Sequence, residues 1–149
     1  MSDGRLPQKP IDILLVEDNH ADAHLMAEVL KEAETPNRLH RLSHGEEVLP
    51  YLRGENGPQR APRPELILLD LNLPAKSGHE LLAELKEDKD LRRIPVIVLS
   101  ASRDEIDVRR AYELCASAYI CKPAFLDDYI GVVRIIEDFW LRTARLPSH

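Results

Sequence analysis

Two cysteines in 149 residues leave no disulfide framework. Cys115 and Cys121 stand at C-x5-C spacing, which matches no usual zinc or redox motif, and both are expected to be reduced, buried small hydrophobes. No apolar run approaches the ~20 residues that span a bilayer. The opening M-S-D-G-R-L-P-Q-K-P lacks the apolar region of a signal peptide, so a cytoplasmic location is the default. A basic excess is missing too. Lys and Arg number 20 against 26 Asp and Glu, a net charge of −6, which argues against a nucleic-acid surface because phosphate contacts need clustered cations. Repeats and low-complexity segments are absent. What remains, 44% apolar and 31% charged, is the composition of one ordinary globular domain. Residues 1–149 are therefore expected to form a single domain with its core at about 11–141 and short tails.

Four short apolar runs organise the chain: Ile11–Val16, Leu66–Leu69, Pro95–Leu99 and Ala118–Cys121. Runs this short and this apolar fit strands buried on both faces of a parallel sheet. A weaker, alternating strand is expected at Leu39–Leu42. Between them lie segments with helical periodicity. The first opens at Asn19-His20 and ends at Thr35-Pro36-Asn37; a short one runs from Ser43-His44-Gly45 through Leu52. Ser77 caps the third, with Glu80 completing a capping box. Asp104 opens the fourth, and the last runs from Leu126 to about Leu141. Arg53–Pro64, dense in Pro and Gly, reads as a long surface loop. The alternation βαβαβαβαβα predicts right-handed crossovers, with helices on both faces of a parallel sheet.

Ligands of open α/β sheets bind beyond the carboxyl ends of the strands, and each run here ends on a chemically capable group. Glu17-Asp18-Asn19 follows the first, Asp70 and Asn72 the second, Ser100 and Ser102 the third, Lys122-Pro123 the fourth. Two unit charges ~4 Å apart repel by about 4 kcal/mol at an effective dielectric near 20, so Glu17, Asp18 and Asp70 need an offset. A hard divalent cation suits them: Mg²⁺ takes one or two carboxylates, several waters and phosphate oxygens, and Lys122 adds a fixed positive charge. Asp70 is then a candidate nucleophile for phosphoryl transfer, with the cation, Lys122 and Ser100 around the three phosphoryl oxygens.

The ordered set E-D-N at 17–19, D-L-N-L-P at 70–74, L-S-A at 99–101 and K-P at 122–123 resembles the receiver domain of two-component response regulators. Each motif alone is weak, but four in order after four apolar runs are specific, and the match covers about Ile11 to Trp140. The resemblance implies the flavodoxin-like (βα)5 doubly wound parallel sheet with strand order 2-1-3-4-5. It also implies a phosphoryl group accepted on Asp70 from a histidine kinase in a Mg²⁺-dependent reaction, with Mn²⁺ as a substitute. The protein would then be a phosphoacceptor signalling protein rather than an enzyme, with self-catalysed phosphorylation and dephosphorylation. By the same resemblance Asp18 binds the metal directly, Glu17 acts as its partner through water, and Asn72 lends a main-chain carbonyl. Ser100 is the hydroxyl that turns toward the phosphoryl group, Tyr119 the aromatic that switches with it, and Lys122 the lysine that pairs with a phosphoryl oxygen. Lys122-Pro123 becomes a candidate cis peptide. Ser77-Gly78 stands where Asp-Gly is usual in the family, a change expected to affect only the helix cap.

A narrower resemblance rests on Tyr112-Glu113-Leu114, Tyr119 to Pro123, Phe139-Trp140-Leu141 and Leu146-Pro147. These are similar to single-domain regulators paired with bacterial phytochrome kinases, which tend to dimerise. The last helix supports that expectation independently. Its apolar residues cover roughly 240° at ~100° per residue, against the ~100° a docked surface helix needs. Leu126, Ile130 and Val133 are expected to face the sheet, leaving Val132, Ile135 and Phe139 as a shoulder for a homodimer. A plainer alternative lets the Arg53–Pro64 loop or the C-terminal tail cover that shoulder. Other bland readings hold elsewhere: Ser102 as a helix cap, and His20 with His24 as a solvated helix face without a third metal ligand. An aspartate-nucleophile phosphohydrolase would want D-x-D where this chain has Asp70-Leu71-Asn72.

Overall fold

In the computed structural model, residues 9–55 and 63–147 are described; residues 56–62 of the expected Arg53–Pro64 loop lie outside them. The elements alternate as β1 (Ile11–Val16), α1 (His20–Lys31), β2 (Asn37–Leu42), α2 (Val48–Leu52, after a 3₁₀ turn at Gly45–Glu47), β3 (Leu66–Leu69), α3 (Gly78–Glu87), β4 (Val96–Ser100), α4 (Glu105–Glu113), β5 (Ala118–Cys121) and α5 (Leu126–Ile136). All neighbouring strands are parallel, in the order β2-β1-β3-β4-β5. The fold is the expected flavodoxin-like one. β4 reaches one residue further than the apolar run suggested, so Ser100 pairs with Cys121 inside the sheet.

Strand side chains alternate between faces, and both faces are covered. Leu14, Val16, Ile67, Leu69, Val96 and Val98 pack with Val48, Leu81, Leu85 and Ala111 under α2, α3 and α4. Ile13, Leu15, Leu66, Leu68, Ile97 and Leu99 pack with Met26, Leu30, Tyr129 and Val133 under α1 and α5. This explains why the central strands carry no polar alternation. Asp12 is the exception inside β1. It is buried at the sheet's opposite edge and accepts from Arg38 Nε at 2.9 Å and Nη2 at 3.1 Å, with His40 Nε2 3.1 Å away. Burial raises its pKa, but the Arg38 and His40 bonds outweigh that and hold it below the usual carboxylate range.

Several expectations change. Cys115 is exposed rather than buried, because it ends α4 in a left-handed turn at φ 65°. Ala116 N–H donates to Ala111 O at 3.0 Å and Cys115 N–H to Tyr112 O at 2.9 Å, the paired bonds of a Schellman ending. Cys121 is half-buried, and both thiols are free. No described peptide bond is cis, so Lys122-Pro123 is trans. Trans remains the lower-energy isomer even before proline, and Lys122 reaches the strand-end carboxylates from it.

The face of α5 is also corrected. Tyr129, Val133 and Ile136 are the residues buried against the sheet, at i, i+4 and i+7. Leu126 is 62% exposed; it opens the helix at the sheet's edge, where the first turn has little to pack on. Ile130 and Val132 are half-buried, and Val132 leans on the core. Past Ile136 the helix widens into a π-helical stretch, Glu137–Thr143. Ala144 N–H bonds to Phe139 O five residues back, and the wider turn brings Leu141 into the core behind Ile136. Leu146 of the tail packs on the same cluster, yet Ile135 and Phe139 stay 65% and 52% exposed.

One close approach fixes the loop after β3. A Cβ on Gly78 would lie 2.6 Å from Asp70 O and 2.7 Å from Leu71 Cα, both backbone atoms that cannot swing aside. Gly78→Ala is expected to cost about 1–3 kcal/mol, as overpacking does. A lower urea midpoint with unchanged slope would show it, and an unchanged midpoint would refute the packing argument.

Candidate functional site

Parallel pairing brings the ends of β1, β3 and β5 to one edge. Glu17 N–H continues the ladder to Leu42 O at 3.0 Å, Asp70 N–H to Val16 O at 3.0 Å, and Lys122 N–H to Ser100 O at 2.8 Å. Each side chain therefore projects from a backbone that is still hydrogen-bonded to its neighbour, so its direction is set by the sheet. Arg41 adds a further tie, donating from Nε to Glu17 O at 3.0 Å.

Glu17, Asp18 and Asp70 each offer a carboxylate oxygen, and the three lie within 4.8 Å of one another. Glu17 and Asp70 are buried and Asp18 is exposed. Lys122 Nζ donates to Glu17 Oε1, reaches Asp22 Oδ2 at 3.1 Å and lies 3.4 Å from Asp70 Oδ2. Burial would lower the Lys122 pKa, but the Glu17 hydrogen bond and the Asp70 and Glu17 charges reverse the effect and hold it above the usual lysine value. Glu17, at 2% exposure, is pushed up to about 7 by burial first, then by its contact with Asp70, against the opposing pull of Lys122. The donor set fits a hard divalent cation. It is all oxygen and shallow on the Asp18 side, and its buried carboxylates carry more negative charge than one ammonium neutralises.

The loops are fixed by local bonds. Asn72 N–H donates to Asp70 Oδ1 at 3.1 Å, orienting that carboxylate and turning Asn72 out to solvent. Ala75, at φ 64°, sits in a three-residue turn in which Lys76 N–H donates to Pro74 O at 2.8 Å, a strained arrangement of the sort found beside functional sites. Ser77 Oγ accepts from Glu80 N–H at 3.2 Å, the expected cap.

Ser100 is wholly buried, and its Oγ accepts from Ser102 N–H at 3.2 Å; the hydroxyl is thus committed to its own loop. Tyr119 is half-buried, with its hydroxyl donating to Ser102 O at 2.9 Å. Ser102, read from sequence as a helix cap, is not the cap of α4, which is Asp104 with its side chain accepting from Ile106 N–H at 3.0 Å; Ser102 Oγ accepts from Asp104 N–H at 3.3 Å just ahead of it. It is also a junction, because its Oγ donates to Asp107 Oδ2 at 2.5 Å while its carbonyl receives Tyr119. Sequence reasoning missed this, as it missed Asp22, although Asp22 lies three residues after the cap Asn19 and so in the first turn of α1 beside the strand-end acids. Among the described residues His20 joins no cluster of potential metal ligands, and its Nδ1 lies 2.9 Å from Arg41 Nη1.

Sheet order, strand-end acids and lysine together describe one kind of protein. The chain belongs to the response regulator receiver domain family, whose profile matches residues 13–134. It is 47% identical over 148 residues to response regulator Rcp1 of Synechocystis sp., covering 99% of each chain. The crystal structure of the Mn²⁺-bound form of Rcp1 superposes with a TM-score of 0.89 at 47% identity, over 93% of this chain and 100% of that one. A phosphorylated cyanobacterial phytochrome response regulator, RcpA, gives 0.90 at 48% identity, over 94% and 100%. No described helix is long and apolar enough to cross a membrane.

The raised Glu17 pKa has a definite sign. Between about 4.5 and 7 the folded chain holds a proton that the unfolded chain has lost, so metal-free stability falls as pH rises through that window and levels above it. A divalent cation needs Glu17 ionised, so its affinity should climb over the same window, by up to about tenfold per pH unit, then flatten. Calorimetric Mg²⁺ titrations at several pH values check this; an affinity that stays flat across the window contradicts it.

Proposed function

We propose that this protein is a phosphorylation-driven switch in which Asp70 accepts a phosphoryl group from a histidine kinase, of phytochrome type, in the cytoplasm. The observation that carries the reading is the convergence of Glu17, Asp18 and Asp70 at one strand edge with Lys122 beside them. The family and the likeness to Rcp1 and RcpA support the kinase class. The layout follows that of Rcp1, with which the chain aligns almost from end to end.

Asp70 Oδ attacks phosphorus as the bond to the donor's nitrogen or oxygen breaks. Asn72 N–H holds the other oxygen of the carboxylate and so aims the attack. Lys122 pairs with a phosphoryl oxygen and neutralises it. Mg²⁺, held by Asp18, Asp70, the Asn72 carbonyl and Glu17 through water, would supply charge neutralisation at the remaining oxygens. Ser100 then exchanges the Ser102 amide for the phosphoryl group. The Ser102 loop moves with it, and Tyr119, bound to the Ser102 carbonyl, follows.

Incubation with acetyl phosphate and Mg²⁺ should add one phosphoryl mass to the intact protein. Asp70→Asn should abolish that gain and Asp18→Ala should weaken its metal dependence; an unchanged gain in Asp70→Asn would remove the assignment. Lys122→Ala should still accept phosphate but fail to move the resonances of Tyr119 on beryllofluoride addition.

The exposed shoulder of α5 supports a homodimer as the second element of the proposal. Ile135 and Phe139 remain uncovered although the tail packs nearby, with Val132 inboard of them. A twofold contact would use each residue twice. Light scattering at tens of micromolar should therefore give a dimer for wild type and a monomer for Phe139→Asp. A monomeric wild type, phosphorylated or not, would refute it.

A further inference from the structure

We propose that Asp22 is a positioning residue of this site: its carboxylate draws the Lys122 ammonium toward α1 and thereby sets how tightly a phosphoryl group on Asp70 is held. The inference rests on the phosphoacceptor reading of Asp70.

Asp22 occupies the third position of α1, three residues after the cap Asn19. At that spacing a helix usually makes a reciprocal pair of bonds, with the cap side chain to the third amide and the third side chain back to the cap amide. Only the first is made here: Asp22 N–H donates to Asn19 Oδ1 at 3.0 Å, whereas Asn19 N–H goes to Glu17 Oε2 at 3.3 Å. The Asp22 carboxylate is turned instead to Lys122 Nζ, at 3.1 Å, closer than the 3.4 Å to Asp70.

An ammonium has three hydrogens. Glu17, Asp22 and Asp70 take all three, so Lys122 cannot reach a phosphoryl oxygen without giving one up. Glu17 is the costliest to abandon, since its buried carboxylate would be stranded away from water. Asp22 is the cheapest. Its side chain is 31% exposed, water can replace the lysine, and the first turn of α1 favours its charge in either state. The Asp70 contact, the longest of the three at 3.4 Å, passes to the phosphoryl group that Asp70 then carries, and as the ammonium follows that group outward the Asp22–Lys122 bond is the one that gives way. The β5–α5 loop is released from α1 in the same event.

Five proteins compared by beryllofluoride titration with Mg²⁺ decide the matter: wild type, Asp22→Asn, Asp22→Glu, Lys122→Met, and Asp22→Asn combined with Lys122→Met, the last read against Lys122→Met alone. Asp22→Asn should bind beryllofluoride about 3- to 10-fold more tightly, the worth of one partly exposed charge-assisted hydrogen bond. Asp22→Glu should stay close to wild type. In the Lys122→Met background the Asp22→Asn effect should vanish; an equal gain there would show a general charge effect and overturn the proposal. The ¹⁵N signal of the Lys122 ammonium, recorded without any phosphoryl mimic, reads the same contact independently and should move in Asp22→Asn. An unmoved signal overturns the positioning role. A wild type that binds no beryllofluoride while the signal does move overturns the Asp70 reading instead, and with it the consequence drawn for phosphoryl affinity.

Discussion

One buried ammonium holds this site together. Lys122 lies among Glu17, Asp22 and Asp70, at 3.1 and 3.4 Å from the latter two, and those groups come from β1, α1 and β3. Without it, carboxylates at neighbouring strand ends would repel across a nearly dry edge. With it, one positive charge is shared among several negative ones. The proton that burial leaves on Glu17 near neutral pH expresses the remaining deficit, and a divalent cation or a phosphoryl group changes the balance from there. The residue that neutralises the acids also joins the end of β5 to the first turn of α1.

The sheet makes this arrangement rigid and the loops make it responsive. The backbones of Glu17, Asp70 and Lys122 are still bound into the ladder, so these groups have little freedom to drift. Ser100 is held by a single bond to the amide of Ser102, and Ser102 is in turn bound to Asp107, Asp104 and Tyr119. The Ser100 hydroxyl is thus two hydrogen bonds away from α4 and from Tyr119 on β5.

At the far end of the chain, the π-helical stretch after α5 decides which apolar residues are buried. It brings Leu141 into the core and leaves Phe139 in solvent, edge-on to Trp140 at 5.2 Å between ring centres, beside Ile135, which α5 itself already exposes. A regular α-helix through residue 141 would have presented a different face.

The sequence by itself determined the strands and the edge where the site lies, while their order followed only from the family resemblance. Leu66–Leu69 and Val96–Ser100 can be buried only between two layers of helix, the acids and the lysine follow their strands directly, and the Ser100 hydroxyl sits on the last residue of its own. It also determined the caps at Asn19, Ser77 and Asp104, which depend on neighbours three residues away or fewer. Tertiary structure alone decided three things. It turned the carboxylate of Asp22, in the first turn of α1, to Lys122, 100 residues away in sequence. It made Ser102 a junction, because Tyr119 approaches from another strand, 17 residues on. It also buried Tyr129 in place of Leu126, since which side of an almost wholly apolar helix meets the sheet depends on where its first turn sits. Local periodicity cannot carry that information: it fixes the angle between side chains on one helix, and the angle to the sheet is set only when the layers pack.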